Sequence, residues 1–446
     1  MRVAIIDDGI GDGAVNAEIE RYCVNDGKVE KSSSQGLIPL SHAGHCAMII
    51  EKYYNNKDPL TFIDIRILYE DDEGDPEDMI AALEFCIEMN IGLVNLSCGF
   101  AAGSKERELA GVCKKLYDKG AVMIAANDNT GLLTYPACLP TVVSVKDMLE
   151  NPEVALFQYV AADVSAHGEH LLMYGKKELY SESFNSFACA YVTALAANQI
   201  SETGAFKLDK LDNTVRVPSY CKIYDFEQLP DVMLLSDEDD CKDVSFEYTK
   251  YPDEVDSKRL NFVVIPSKKI NKRTALKALN TLSGRVSSLF WCGKKIPYTL
   301  RKACERNKIR YWDETIDNLK LTDISCEVPM IQFFGESEIA EKTIFSLKSL
   351  FLKDGYNSLL VSDREQAYLY GFKKIYNKGS IGVYVFHFMP DVILIENQEK
   401  ITDDEDVTVE CTGNGFKISN NTINQSAETV EQLYDKIRSI YGEVTK

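Results

Sequence analysis

Met1-Arg2-Val3-Ala4-Ile5-Ile6-Asp7-Asp8-Gly9 opens the chain with an apolar run that ends on two carboxylates and a glycine. An apolar run of this length, followed by a turn signal, predicts a buried strand. Similar runs recur downstream, and segments with apolar residues at helical spacing lie between them. The predicted strands are Val3–Ile6, Thr61–Leu68, Leu93–Ser97, Ala121–Ala125 and Thr141–Val145, and the predicted helices are 43–53, 76–89, 104–118 and 186–199. This alternation predicts an α/β fold with a parallel sheet covered on both faces, and functional groups beyond the carboxyl ends of its strands.

A polar stretch, Ser201–Asn213, and the proline-containing Val215–Ser219 mark the end of this first domain. We expect two smaller α/β domains after it, so that the chain divides into 1–202, 215–325 and 328–446. Strands are predicted at Val232–Leu235, Phe262–Ile265, Ser287–Trp291, Ile309–Trp312, Pro329–Phe334, Ser358–Ser362, Ile381–Phe388 and Val392–Ile395, and helices near 271–283, 297–306 and 339–353. The apolar positions Val430, Leu433, Ile437 and Ile440 predict a last amphipathic helix, with Ser426 as its N-cap.

The composition narrows the class of function. The 446 residues carry a net charge of −20, which argues against nucleic acid or an anionic membrane surface as the main partner, because phosphate binding needs a basic field. No apolar run approaches the ~18–20 residues of a membrane span, and the first residues lack the pattern of a signal peptide. The 13 cysteines are scattered without C-x-x-C spacing. They favour a reducing, cytoplasmic compartment and give no reason to expect a metal site or a cofactor.

Four segments of the first domain carry the candidate chemistry. Asp7 ends a strand, where a carboxylate can orient an imidazole. In Ser41-His42-Ala43-Gly44-His45 two histidines open a helix; we do not expect a metal site there, because no third ligand is near. The other two segments are Asn127-Asp128-Asn129-Thr130-Gly131 with Tyr135-Pro136-Ala137 downstream, and Phe184-Asn185-Ser186-Phe187-Ala188. Singly, they fit an Asn-rich turn and a serine N-cap, but the order of all four favours one common site.

In this order the motifs resemble those of the subtilisin-like serine proteases. Asp7-Asp8-Gly9 is similar to Asp-Ser/Thr-Gly, His42-Ala43-Gly44-His45 to His-Gly-Thr-His, and Asn185-Ser186-Phe187-Ala188 to Thr-Ser-Met-Ala. Asn95-Leu96-Ser97-Cys98-Gly99 is similar to the family's Ser-Leu-Gly strand, and Ala166-His167-Gly168 stands where the family has Ala-Pro-Gly. The resemblance covers residues 1–202 and implies a subtilisin-like three-layer domain built on a parallel sheet.

Carried over residue by residue, the resemblance implies a catalytic triad. Ser186 would be the nucleophile, His42 the general base and then the general acid, and Asp7 the group that orients the imidazole. The backbone N–H of Ser186 and the side chain of an asparagine would stabilise the oxyanion. The segment Ser97, Cys98 and Gly99 would pair with the substrate backbone.

The resemblance does not settle which residue of the Asn127–Asn129 segment supplies this side chain. Without a gap, the family's asparagine falls on Asp128, whose carboxylate would repel an oxyanion. One inserted residue places it on Asn129, and the match at Tyr135-Pro136-Ala137 favours that alignment. We therefore expect Asn129 to line the oxyanion hole and keep Asn127 as the competing candidate.

The chain departs from the family pattern close to Ser186. Ala43 and Phe184 stand where the family has glycine, and Ala190 stands where it has proline. These changes reshape the turn around the serine without removing a catalytic group. The alternative to an active protease is therefore an inactive pseudo-protease scaffold that binds a leader peptide or a maturation partner.

Residues 331–343 follow a strand and open a helix, as a phosphate-binding P-loop does. The spacing from Gly335 to Lys342 is one residue too long, and Glu336, Glu338 and Glu341 repel phosphate, so we do not expect nucleotide binding. Residues 328–446 resemble the degenerate P-loop-like proteins of bacterial peptide-maturation clusters, while 215–325 is expected to be Rossmann-like. The resemblance implies a cytoplasmic serine endopeptidase whose substrate is a ribosomally made, modified precursor peptide and whose partners are maturation enzymes.

Overall fold

The computed structural model describes residues 1–33, 38, 40–69, 74–101, 105–148, 162–222, 225–237, 244–254, 259–282, 284–315, 328–376, 379–397, 407–420 and 422–441. Its strands are β1 Arg2–Asp7, β2 Glu18–Asn25, β3 Lys28–Lys31, β4 Thr61–Arg66, β5 Leu93–Leu96, β6 Val122–Ala126, β7 Val143–Asp147, β8 Val164–Ala166, β9 Leu171–Tyr174, β10 Lys177–Tyr180, β11 Val232–Leu235, β12 Thr249–Lys250, β13 Leu260–Val264, β14 Val286–Trp291, β15 Arg310–Asp313, β16 Met330–Gly335, β17 Ser358–Ser362, β18 Lys373–Lys374, β19 Val392–Glu396, β20 Val407–Thr412, β21 Gly415–Ser419 and β22 Asn424–Ala427. Its helices are α1 His42–Tyr53, α2 Pro76–Glu88, α3 Glu106–Asp118, α4 Asn185–Thr203, α5 Lys272–Thr281, α6 Tyr298–Arg306, α7 Ser337–Lys353, α8 Gly379–Phe388 and α9 Val430–Tyr441.

The described residues cluster into two compact units. One contains those of 1–101, 105–240 and 247–317, and the other contains those of 241–246 and 318–446. The predicted boundary between 202 and 215 falls inside the first unit, and the predicted end of the second domain, 316–325, lies outside the described residues. The division into three domains stays a prediction.

The first unit is mixed α/β and is built around an eight-stranded sheet. The strand order is β3-β2-β4-β1-β5-β6-β7-β8, and every pair except β2 with β3 is parallel. This confirms the predicted parallel sheet. Because parallel strands end at the same edge, the residues that follow β1, β5, β6, β7 and β8 gather there.

Helix α4 packs against this sheet and against α1. Its first half is buried throughout and includes the small side chains of Ser186, Ala188 and Ala190, so neighbouring elements approach it closely. Gly204 ends the helix with a φ of 74°, a left-handed conformation that glycine adopts at low cost. The first turn of α4 is therefore held rigidly at the edge where the strands end.

A second, five-stranded sheet in the first unit has the order β12-β11-β13-β14-β15 and is parallel throughout. A buried ion cluster links it to the first sheet. Asp163, just before β8, accepts a hydrogen bond from Arg310 in β15 and lies 2.9 Å from Lys222 Nζ. Burial opposes ionisation of Asp163, but the two cations prevail and hold the pKa of its carboxyl below the usual range.

The second unit contains a seven-stranded sheet of order β18-β17-β19-β16-β20-β21-β22. Residues Ile381–Phe388, predicted as a strand, belong instead to helix α8, so this prediction is wrong. A short run that is apolar throughout does not distinguish a buried strand from a buried helix. Here the helix lies in the connection to β19, which runs parallel to β17, and parallel neighbours need such a crossover.

The start of the last helix also differs from the prediction. Ser426 lies in β22, and α9 begins at Val430, where Thr429 Oγ1 accepts a hydrogen bond from Gln432 N at 3.3 Å. Threonine at this position caps the helix as serine would. Among all the helices of the described residues, we find none with both the length and the apolar character needed to cross a membrane.

Candidate active site

Asp7 is the last residue of β1, and its side chain is fully buried. Each of its carboxylate oxygens lies 2.9 Å from Nδ1 of His42. The backbone N–H of Asp8 donates to Asp7 Oδ1 at 2.8 Å, which fixes the carboxylate further. A buried carboxylate in this position keeps the hydrogen of the imidazole on Nδ1, so that Nε2 is the basic nitrogen.

His42 is the first residue of α1, and the start of this helix is tied to the loop after β1. Ser41 Oγ accepts from Gly44 N at 3.0 Å and donates to Gly9 O at 2.7 Å. The Asp8 carboxylate accepts from the backbone N–H of His42 at 3.0 Å and of Ala43 at 2.7 Å. Burial, and then the charge of Asp7, raise the pKa of Asp8, while these two hydrogen bonds lower it. A carboxylate at a helix N-terminus is favourable, and here it sets the position of the imidazole.

The second histidine of the motif has a different role. His45 Nδ1 bonds to Ser41 O at 2.9 Å, and its ring packs against Phe187. Within the described part of the chain, three side chains bring metal-binding atoms within 4.8 Å of one another, those of Asp7, His42 and Cys46. Burial raises the pKa of the Cys46 thiol, whereas a metal needs the thiolate. The group therefore fits a hydrogen-bonded acid and base pair better than a metal centre.

Ser186 is the second residue of α4 and is 8% exposed. Its Oγ donates to Ser97 O at 3.2 Å. The N-cap of the helix is Phe184, whose side chain makes no capping bond, so the interpretation of Ser186 as an N-cap is wrong. The next residue, Phe187, has its ring centroid 5.4 Å from that of His42. The serine and the histidine thus belong to neighbouring first turns of α4 and α1.

The backbone amides at the start of α4 differ in their acceptors. Asn185 N donates to Asn129 Oδ1 at 3.0 Å, and the N–H groups of Phe187 and Ala188 each donate to Phe184 O at 3.2 Å. For the N–H of Ser186, the described residues provide no acceptor. It lies at the positive end of the helix dipole, where a negatively charged oxygen is stabilised.

The two candidate asparagines have different surroundings. Asn129 is exposed, and because its Oδ1 faces Asn185 N, its Nδ2 is the free donor end of the amide. Asn127 is buried, and its Oδ1 has no hydrogen-bond partner among the described residues. The Asp128 carboxylate accepts from the N–H groups of Thr130 and Leu132, so it is turned into its own loop.

Asn185 is a residue whose role the sequence did not indicate. It is 2% exposed, its Oδ1 accepts from Asp147 N at 2.7 Å, and its Nδ2 donates to Asn127 O and Asp128 O, both at 3.1 Å. These bonds hold the loop after β6 against the residue that precedes Ser186. One signal in the sequence could have indicated this role: Asn185 is a polar residue at the start of a buried helix, and a buried amide needs hydrogen-bond partners. Those partners come from β7 and from the loop after β6, which a motif does not show.

The turn before Ser186 rests on Gly168 and Asp147. Gly168 N donates to Asp147 Oδ1 at 3.3 Å, and Ser183 Oγ donates to Asp147 Oδ2. A Cβ at Gly168 would lie 2.4 Å from Phe184 O, closer than any side chain allows. The glycine therefore lets the segment after β8 approach the backbone that leads into α4.

The segment Ser97, Cys98 and Gly99 continues from the end of β5. Ser97 Oγ accepts from Asn95 Nδ2 at 2.7 Å, and the thiol of Cys98 donates to Ile6 O at 3.3 Å. Gly99 lies against Tyr135, since a Cβ there would be 2.7 Å from Tyr135 O. The structure thus places this segment beside Ser186, whose Oγ bonds to Ser97 O.

A further buried carboxyl group lies in the strand next to β1. Asp64 in β4 is opposite Ile5 of β1, is 1% exposed, and accepts from Ile10 N at 3.0 Å. Burial raises the pKa of Asp64 to about 7, and the charges of Asp7 and Asp8 act in the same direction. This group therefore changes its charge near neutral pH.

Comparison with known proteins gives a limited match in sequence. A stretch of 112 residues, 24% of this chain and 17% of the other protein, is 28% identical to the Minor extracellular protease Epr of Bacillus subtilis (strain 168). The chain thus matches about a sixth of the length of that relative. No protein-family model matches the chain.

Solved structures that are similar to part of the chain include the following two. Sphericase is 16% identical with a TM-score of 0.36, over 47% of this chain and 79% of that chain. A lanthipeptide protease is 18% identical with a TM-score of 0.37, over 45% of this chain and 73% of that chain.

Proposed function

We propose that the chain is a serine endopeptidase whose catalytic residues are Asp7, His42 and Ser186. The observation that carries the proposal is that both oxygens of the buried Asp7 carboxylate accept from His42 Nδ1, beside the first turn of α4 that bears Ser186. The sequence match to a protease supports the same class of reaction. The side chain of His42 is about one-third exposed. A catalytic role explains why a buried carboxylate orients it better than a purely structural role does.

The reaction begins with activation of Ser186. Its hydroxyl donates to Ser97 O in the free protein. The proposed reaction requires this hydroxyl to turn from Ser97 O to Nε2 of His42. As Oγ attacks the carbonyl carbon of the peptide, His42 takes the proton, and Asp7 stabilises the imidazolium. His42 then gives this proton to the leaving amine. A water molecule, activated by the same imidazole, hydrolyses the resulting ester and regenerates Ser186.

The oxyanion of the tetrahedral intermediate needs two donors that are already in place. We propose the N–H of Ser186 as one donor, because it is the first-turn amide for which the described residues provide no acceptor. The Nδ2 of Asn129 is the second, since its Oδ1 is fixed by Asn185 N and its amide nitrogen is left to donate. Asn127 is less suited, because its side chain is buried.

The substrate backbone is proposed to lie along Ser97, Cys98 and Gly99. This segment continues a parallel strand, and its position beside Ser186 suits an extended peptide. We further propose that the natural substrate is a ribosomally made precursor peptide, modified by partner enzymes and cut in the cytoplasm. This finer proposal rests on the resemblance of residues 328–446 to proteins of peptide-maturation clusters.

A mixture of defined peptides tests the proposed activity. The purified chain is incubated with the mixture, and new N-termini are identified by mass spectrometry. We expect cleavage by the wild type and no cleavage by Ser186→Ala. The control is Ser287→Ala, which removes the hydroxyl of an exposed serine in β14. Cleavage that survives in Ser186→Ala would contradict the proposal. Peptide binding without cleavage by the folded wild type would favour the alternative, a pseudo-protease scaffold.

A further inference from the structure

Aromatic side chains cluster at the first turns of α1 and α4. The ring of Phe187 lies 5.4 Å from that of His42 and 5.8 Å from that of His45. The ring of Phe184 lies 6.1 Å from that of Phe187. We call these four residues, His42, His45, Phe184 and Phe187, the aromatic groove.

Phe184 is the exposed wall of the aromatic groove. It is 40% exposed although it is large and apolar, whereas Phe187 is 7% exposed. Its backbone is fixed by contact with Gly168 and by the hydrogen bonds that its carbonyl oxygen accepts at the start of α4. The ring is therefore presented to solvent from a rigid turn two residues before Ser186.

The reaction chemistry assigns a side to the groove. The general acid must reach the amine that leaves, so the residue after the cleaved bond passes next to His42. The acyl part of the substrate lies instead near the donors that stabilise the oxyanion, Ser186 N and Asn129. Since His42 forms part of the aromatic groove, the groove is on the leaving-group side of Ser186.

We propose that the aromatic groove selects substrates with a large apolar or aromatic residue immediately after the cleaved bond. This inference rests on the proposed peptidase activity. Aromatic rings favour offset or edge-to-face contacts with a further ring, and a bound apolar side chain also shields His42 from water during proton transfer. A glycine at this position would leave Phe184 exposed and gain neither effect.

Partitioning of the acyl-enzyme tests the groove directly. When an ester substrate acylates Ser186, the acyl group passes either to water or to an added amine, which must occupy the leaving-group side. The amine nitrogen forms the new amide bond, the ester bond to Ser186 Oγ breaks, and the amine proton returns to Oγ through His42. The measured quantity is the ratio of amide product to acid product with phenylalanine amide or with glycine amide as the acceptor.

We expect the wild type to favour phenylalanine amide over glycine amide by roughly tenfold, as differences in apolar side chains usually give. Phe184→Ala should bring the two acceptors close to parity. The ratio compares two fates of one acyl-enzyme, so it does not depend on how fast the ester acylates Ser186. The matched control is Tyr298→Ala, since Tyr298 is 67% exposed and lies on α6.

The outcomes separate this inference from the proposed activity. Ester turnover that depends on Ser186 but shows equal partition in the wild type, or a preference that persists in Phe184→Ala, would overturn the inference and leave the peptidase proposal standing. A wild type that forms no acyl-enzyme would overturn both.

Discussion

Asp7 gives His42 a defined chemical state, and this is the most consequential contact at the scale of single residues. Replacement by asparagine keeps the size of the side chain, but its Nδ2 can donate to Nδ1 and thereby favour the opposite tautomer. We expect Asp7→Asn to lower kcat by about 10⁴. The measurement is peptide hydrolysis, with thermal unfolding as a check that the fold persists. A loss of less than tenfold would show that His42 does not depend on Asp7.

A second prediction concerns the oxyanion donor. Asn129→Ala removes the proposed Nδ2 donor and should lower kcat by about 10² to 10³. Asn129 is exposed, so the free energy of unfolding should change little. Asn127→Ala is the matched comparison: because Asn127 is buried, it should affect stability more than rate. A larger rate loss at Asn127 than at Asn129 would reverse the assignment.

Asp64 makes stability depend on pH near neutrality. Its pKa is about 7 in the folded chain against 3.8 for the ordinary group, so the stabilising protonated form is lost as the pH rises from about 4 through 7. Asp64→Asn stays uncharged and should be more stable than the wild type at pH 9, by on the order of 4 kcal/mol, and similar to it at pH 4. Denaturant unfolding across this range measures the effect, with the exposed Asp58→Asn as control. Parallel curves for wild type and Asp64→Asn would contradict the assignment.

At the scale of elements, the first turns of α1 and α4 decide whether the site is assembled. The turn before α4 depends on Gly168, whose missing Cβ admits the backbone of Phe184. We expect Gly168→Ala to lower the free energy of unfolding by about 1–3 kcal/mol. It should also lower kcat while KM changes less, because the added Cβ displaces the helix start that bears Ser186. Gly92→Ala is the control, since a Cβ there meets no atom within 4 Å. Wild-type activity in Gly168→Ala would show that this close approach does not position the serine.

The elements also show which features a local sequence pattern can predict. The strand that ends at Asp7 and the helix that begins at His42 followed from apolar spacing and from polar residues at their ends, because both signals are local. The bonds of Asn185 to Asp147, Asn127 and Asp128 join segments that are far apart in sequence, so no spacing indicated them. Residues 381–388 were misassigned for the opposite reason. Their local pattern suits a strand, but the parallel neighbours of β19 require a helix at that point.

At the scale of the whole molecule, the described residues form two units, and the candidate catalytic residues lie in the first. The mixed α/β character and the parallel sheets were predicted, since strands and helices alternate along most of the chain. The boundaries were harder to predict. The polar stretch after α4 suggested a domain limit, yet a buried cluster of Asp163, Lys222 and Arg310 joins the two sheets on either side of it. Buried charge pairs between distant residues leave no local pattern in a sequence.

The central claim is that Ser186 is a nucleophile activated by His42 and Asp7. A fluorophosphonate probe reacts with such a serine and leaves a covalent adduct that intact-mass and peptide mapping can locate. We predict one adduct per chain, on Ser186, absent in Ser186→Ala and strongly slowed in His42→Ala. A folded wild-type chain that stays unlabelled, or an adduct mapped to another residue, would contradict the account.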